Sequence, residues 1–110
     1  MEISFEVQGS AEYPYTVSFK KIGVKLSTEC SCPAGENGMH CKHRIRILNG
    51  MRDGIVSGNE SDADTVASWL PGTYLGETLQ ALSIAEEQFE AAQNELKRIK
   101  KQLDRALIGI

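Results

Sequence analysis

Cys30-Ser31-Cys32-Pro33-Ala34-Gly35-Glu36-Asn37-Gly38-Met39-His40-Cys41-Lys42-His43 is the stretch on which the reading of this chain turns. All 3 cysteines lie within it, beside both histidines. An odd number of thiols cannot be closed by disulfides within one chain, and disulfide frameworks spread their cysteines to staple distant loops. Burial as small apolar residues would explain each cysteine singly, but not the cluster. Clustering of soft and borderline donors reads instead as metal ligation in a reducing compartment. Four donors fit tetrahedral zinc: Cys30, Cys32, Cys41 and His43. On a strand, residues i and i+2 point the same way, so the two thiols of the CxC pair reach one ion. The CxH pair lies where a helix begins, and its first turn brings both side chains back to that ion. The Gly- and Asn-containing segment between the pairs permits the reversal. Four protein ligands leave no open position, which predicts one structural Zn²⁺ per chain, tying a hairpin to a helix and stabilising the fold. His40 competes for the fourth position, but the CxC/CxH symmetry favours His43. Glu36, the nearest carboxylate, reads as a solvated loop residue.

Working outward toward the N-terminus, Ile3-Ser4-Phe5-Glu6-Val7 alternates apolar and polar residues, the period of a half-buried strand. Gly9-Ser10 marks a break. Tyr13, Tyr15, Val17 and Phe19 share one face of a second strand. Lys20-Lys21-Ile22-Gly23 reads as a turn, and Val24, Leu26 and Thr28 as the inner face of a strand running into Cys30. The expected object is an antiparallel hairpin of residues 13–20 with 24–30, with residues 3–8 as an additional strand. Beyond His43 the period changes. Ile45, Leu48 and Met51 are spaced three apart, with Ile47 beside them, which predicts a helix of about three turns ending near Asn49-Gly50 or Asp53-Gly54. Ser61 to Asp64 fits a capping box. A short helix through Val66 and Trp69 should follow and stop at Pro71-Gly72. Trp69 reads as a core anchor.

The run Cys30-Ser31-Cys32-Pro33 through Cys41-Lys42-His43 resembles the SWIM-type zinc finger, whose motif is CxC, a variable gap, then CxH. The resemblance covers roughly residues 13–52. The family's strand-strand-helix layout and aromatic-led first strand fit the reading above, at Tyr15 and Val17. The resemblance implies that Cys30, Cys32, Cys41 and His43 are the zinc ligands. SWIM modules occur in SWI/SNF-type helicases, Mutator-class transposases, ubiquitin-ligase-related kinases and partners of recombination mediators, where they are thought to bind DNA or proteins. Family members often carry a small apolar residue three positions after the histidine, where this chain has Arg46.

The C-terminal third lies outside that resemblance. Leu75, Leu82, Phe89, Leu96, Leu103 and Ile110 recur every seven residues, and Thr78, Ala85, Ala92, Ile99 and Ala106 follow the first five at a spacing of three. This is the a/d stripe of a coiled coil. Gly76 sets the expected helix start at about Glu77, and a helix from there to Ile108 would run about 48 Å. A small zinc unit cannot cover that length, so the stripe predicts pairing with another helix. One row of the stripe is large and the other mostly alanine. Acidic residues (Glu86, Glu87, Glu90, Glu95) precede basic ones (Lys97, Arg98, Lys100, Lys101, Arg105). Both features suit an antiparallel homodimer, in which Leu82 faces Ala106, Ala85 faces Leu103, Phe89 faces Ile99 and Ala92 faces Leu96. A parallel pair would stack Phe on Phe and Ala on Ala. Two other readings of the stripe stay open: a helix folded back on the chain's own short helices, and pairing with a different protein.

The expected fold is a small α+β, zinc-stabilised ββα unit with a long C-terminal helix in coiled-coil-like pairing. It divides into strands and finger over 1–54, a connector with a short helix over 55–76, and a dimerisation helix over 77–110. The whole chain has 110 residues, 41% apolar and 25% charged, with a formal net charge of -3. This is globular composition, not that of a basic nucleic-acid clamp. No apolar run reaches the length of a membrane span. The acidic, alternating N-terminus is no signal peptide, and no Walker A or dinucleotide fingerprint is present. Cytoplasm is the expected compartment, or the nucleus for a eukaryotic source. No serine–histidine or cysteine–histidine pair stands free of the proposed metal, so no enzyme chemistry and no small-molecule substrate are expected. Two binding readings remain. One is a non-catalytic adaptor or regulator that binds a protein partner through the zinc unit and dimerises through its helix. The alternative is DNA or RNA binding through Lys20, Lys21, Lys25, Lys42, Arg44 and Arg46, with Lys42, Arg44 and Arg46 presented to phosphates by the helix after Cys41.

Overall fold

The computed structural model describes residues 1–110. Its elements are β1 (Glu2–Val7), β2 (Tyr15–Ile22), β3 (Lys25–Cys30), α1 (Pro33–Glu36), α2 (Lys42–Leu48), α3 (Asp62–Ser68) and α4 (Tyr74–Leu107). Contacts divide the chain into two compact units, Met1–Gly76 and Glu77–Ile110. No helix is long and apolar enough to cross a membrane.

The first unit is built on a three-stranded antiparallel sheet in the order β1-β2-β3. The strand expected over residues 3–8 is present as β1, and a helical turn that was not expected, α1, lies between the two ligand pairs. The alternation explains the third strand. Phe5 lies opposite Val17, and Ile3 opposite Phe19. This register puts the apolar residues of β1 on the same face as those of β2. Phe5, Val17 and Phe19 are at most 1% exposed, and the Phe5 and Phe19 rings meet edge-on at 5.8 Å. The opposite face is polar, with Ser4 Oγ and Ser18 Oγ 2.8 Å apart. The free edge of β1 is closed by residues 54–59. Gln8 N–H donates to the Gly54 carbonyl at 2.8 Å and Val56 N–H to the Glu6 carbonyl at 2.8 Å. The Asn59 amide donates to the Ser4 carbonyl at 3.0 Å.

The hairpin turn falls later than expected. Lys20, Lys21 and Ile22 belong to β2, and the loop is Gly23-Val24, with Gly23 at φ +59°. A two-residue hairpin loop needs positive φ there, which only glycine adopts without strain. Tyr13 and Val24, assigned above to strand faces, instead lie outside the strands and are 76% and 79% exposed.

Helix α2 has two turns, not three. Gly50 takes φ +77°, its N–H bonds to the Ile47 carbonyl at 2.9 Å, and Met51 N–H bonds to the Arg46 carbonyl at 2.9 Å. This is a Schellman stop. Met51 is therefore outside the helix and exposed, and the buried stripe is His43, Ile47 and Leu48. Helix α3 contributes Ala63 and Val66, both 0% exposed, with Trp69 just after it at 5%. The expected Ser61 capping box does not form. Ser61 is itself helical and makes no side-chain cap, and the Asn59 amide reaches the Asp62 carboxylate at 3.3 Å instead.

Helix α4 begins at Tyr74, earlier than the glycine predicted. Buried Thr73 is the reason: its Oγ accepts the Gly76 N–H at 3.0 Å and donates to the Leu70 carbonyl at 2.6 Å. A Cβ on Gly76 would stand 2.5 Å from that carbonyl, so the first turn requires glycine. The helix runs 34 residues, about 51 Å, and ends in a second Schellman turn at Gly109, φ +82°. None of its side chains is buried.

Candidate metal centre

The end of β3, the cap of α1 and the first turn of α2 deliver four donors to one point. Cys30 is the last residue of β3 and lies opposite Val17, so its side chain joins the inner face. Cys32 is the N-cap of α1, and Pro33 occupies the first helical position. There proline's missing N–H costs nothing and its fixed φ suits the helix. The Cys32 Sγ accepts the Gly35 N–H at 3.3 Å. Cys41 is the N-cap of α2, with extended backbone, and His43 lies in the first turn.

The ligand atoms of Cys30, Cys32, Cys41 and His43 all lie within 4.8 Å of one another, and all four residues are buried. Cys30 Sγ is 3.9 Å from His43 Nδ1. A tetrahedron with Zn–S bonds near 2.3 Å has edges of about 3.7 Å, so the cage needs little contraction to hold the ion. The donor chemistry also fits, since three thiolates with one neutral imidazole form a recurrent structural zinc set. His40 is exposed and outside the cluster, so the fourth donor is His43.

The electrostatics explain why a cation belongs there. Burial pushes the Cys30 thiol up to about 12; the Cys32 backbone N–H opposes this, while the Cys32 side chain and Cys41 add to it. Burial also raises Cys41, but the Arg44 backbone N–H, its side-chain hydrogen bond and its charge outweigh burial and leave that thiol lowered. Burial, with the charges of Lys42 and Arg46, lowers His43 and favours the neutral imidazole that metals bind. Zinc, when bound, supplies the positive charge that ionises all three thiols and cross-links β3 to α2.

Around the ligands lies a supporting layer that the motif did not reveal. Arg44 Nε donates to Cys41 Sγ at 3.1 Å. The Arg44 guanidinium also contacts the Met39 carbonyl and, at 3.4 Å, Thr28 Oγ1. Tyr15 tilts against the His43 ring at 5.0 Å. A Cβ on Gly9 would come 2.7 Å from the Tyr15 ring and 3.1 Å from His43 Nε2, and one on Gly35 would come 2.3 Å from the Cys30 carbonyl. Both glycines let backbone approach the site. The readable signal for α1 was Cys32-Pro33, a cap followed by proline; Gly9, 34 positions before His43, carried none.

The six basic candidates do not form one surface. Arg44 turns onto Cys41 and Met39, so its guanidinium is engaged beside the site. Its geometry follows from the site, because a partly buried sulfur and carbonyl compete for the guanidinium. Lys42 and Arg46 remain exposed and border a cavity of about 260 Å³ with Gly9, His43 and Asp53. Lys20, Lys21 and Lys25 stand at the other end of the sheet, Lys20 opposite Ser27 and Lys21 opposite Leu26. The five residue steps from Lys25 to Cys30 span about 17 Å.

No family model, curated protein or solved structure matches this chain.

Proposed function

We propose that the protein is a non-catalytic zinc-finger adaptor of SWIM type, with Cys30, Cys32, Cys41 and His43 holding one structural zinc ion. In this reading the zinc unit binds a protein partner while α4 pairs with a second copy. One observation carries the proposal: four buried donors from three elements converge, and together they fill a tetrahedral shell. A site with no vacant position for water or substrate holds shape and does no chemistry. The protein-binding reading is favoured over nucleic acid by the charge distribution. Arg44 is engaged at the site, the remaining cations fall into two groups, and the chain is acidic overall.

Native mass spectrometry of the freshly purified protein at low micromolar concentration reads metal and oligomer together. The expected result is a dimer with one zinc per chain, and loss of that zinc in Cys32→Ser. A metal-free wild type overturns the zinc centre. In parallel, duplex DNA and single-stranded RNA are titrated at 50 mM salt, with no binding tighter than about 10⁻⁴ M expected. Tighter binding that weakens steeply with salt would replace the adaptor reading by nucleic-acid recognition.

A further inference from the structure

We infer that two copies of α4 pair antiparallel about a dyad at Asn94, with orientation selected by a cross-helix contact between Glu86 and the partner's Lys100. The inference rests on the dimer reading above and specifies its register. The occupant of the stripe is argued from two independent features. The first is exposure: Phe89, Leu96, Ile99 and Leu103 are 65%, 53%, 48% and 55% exposed along a continuous helix. Rows this apolar are covered in a stable assembly, and a large row beside an alanine row is complementary to itself only when one copy is reversed.

The second feature is the flanking charge. In an antiparallel pair, the residues four after each large-row position run alongside the same row of the other helix. With Phe89 facing the partner's Ile99, that row places Glu86 beside the partner's Lys100, twice by symmetry. It also places Leu79 beside the partner's Leu107. Leu107 is 75% exposed. The other flank brings Glu95 near its own copy, which would repel. There, however, Arg98 of the same helix donates to the Glu95 carboxylate, with Nε at 3.0 Å, and offsets that charge. A parallel pair changes every one of these relations. Glu86 would then face Ala81, and Lys100 would face Glu95, whose carboxylate Arg98 already holds.

The two orientations predict different charge-swap behaviour. The dimer dissociation constant is measured by sedimentation at low salt for the wild type, Glu86→Lys, Lys100→Glu and the double swap. Antiparallel pairing predicts that each single change weakens the dimer on the order of tenfold and that the double swap returns it near wild type. If Glu86→Lys is neutral and the double swap stays as weak as Lys100→Glu, the pair is parallel and the inference fails. Pulsed EPR between spin-labelled non-natural residues at position 77, which spares the native cysteines, reads orientation directly. Antiparallel copies separate the labels by about 50 Å along the axis, whereas parallel copies bring them within about 20 Å. A dimer with the short distance sinks only the orientation. Monomer at tens of micromolar in the same sedimentation run sinks the dimer reading as well.

Discussion

The two units of this chain hold comparable apolar residues in opposite states. Phe19 in the sheet is 0% exposed and Phe89 in α4 is 65% exposed. In the first unit a strand's period-two pattern closes on itself, because β1, β2, α2 and α3 supply the cover within 76 residues. In the second, a seven-residue pattern has no second helix within the unit to close on. The difference separates two kinds of stability. In the proposed reading, the first unit depends on its core and its metal centre, whatever the protein concentration. In the proposed dimer, the second depends on mass action with the helix that covers the stripe.

The largest expected effect is removal of zinc. Structural zinc in small domains contributes on the order of 10 kcal/mol of apparent binding free energy that is also folding free energy. A strong chelator, or Cys32→Ser, should therefore abolish the buried environment of Trp69, read by its fluorescence, while far-ultraviolet dichroism keeps much of the α4 signal. Simultaneous loss of both signals would mean that the two units are not independent, and the comparison would break.

Next in size are the two phenylalanines. Phe19→Ala should cost about 3–5 kcal/mol of first-unit stability, measured by denaturant titration of the Trp69 signal. Phe89→Ala should leave that transition unmoved and shift the helix melting temperature only in a concentration-dependent way. A first-unit loss above 1 kcal/mol from Phe89→Ala would show that the stripe is covered by the chain's own first unit.

How much of this was legible tracks the range of the interactions involved. The clustering of Cys30, Cys32, Cys41 and His43 was readable because metal geometry converts spacing directly into placement, and the burial of Phe5, Val17 and Phe19 because alternation states which face is buried. Arg44 was not readable. Its position three residues after Cys41 fits a solvated helix face equally well, and only the fold shows that Cys41 Sγ and the Met39 carbonyl lie within its reach. Gly76 misled for a related reason. Glycine weakens a helix interior by propensity, yet here it is required by the approach of the Leu70 carbonyl, and the Thr73 cap fixes the start. The Ser61 box failed because Asn59, tied to both β1 and Asp62, sets how the chain enters α3.

A smaller effect tests whether the supporting layer matters to the metal. Arg44→Met keeps the side chain's length but removes the donor to Cys41. Groups that support ligands in this way typically affect metal affinity by about 10–100-fold. Competition with a chromogenic chelator should show a loss in that range with the dimer constant unchanged. Affinity within twofold of wild type would assign Arg44 to loop packing through Met39 alone.

The smallest effect belongs to the ion pair between Arg52 and Asp64, 2.6 Å apart with side chains 50% and 68% exposed. It links the segment after α2 to α3 and so lies wholly within the first unit. Solvent screening limits such pairs, and Arg52→Ala should cost less than about 1 kcal/mol, shrinking further in 0.5 M salt. The value of the measurement lies in its contrast with Thr73→Ala, which removes a buried cap and should cost about 1 kcal/mol without salt dependence. If Arg52→Ala proved the costlier and insensitive to salt, the short segment 49–61 would owe its course to that pair. The hydrogen bonds to the β1 edge from Gly54, Val56 and Asn59 would then be a consequence of the pair and not the cause of that course.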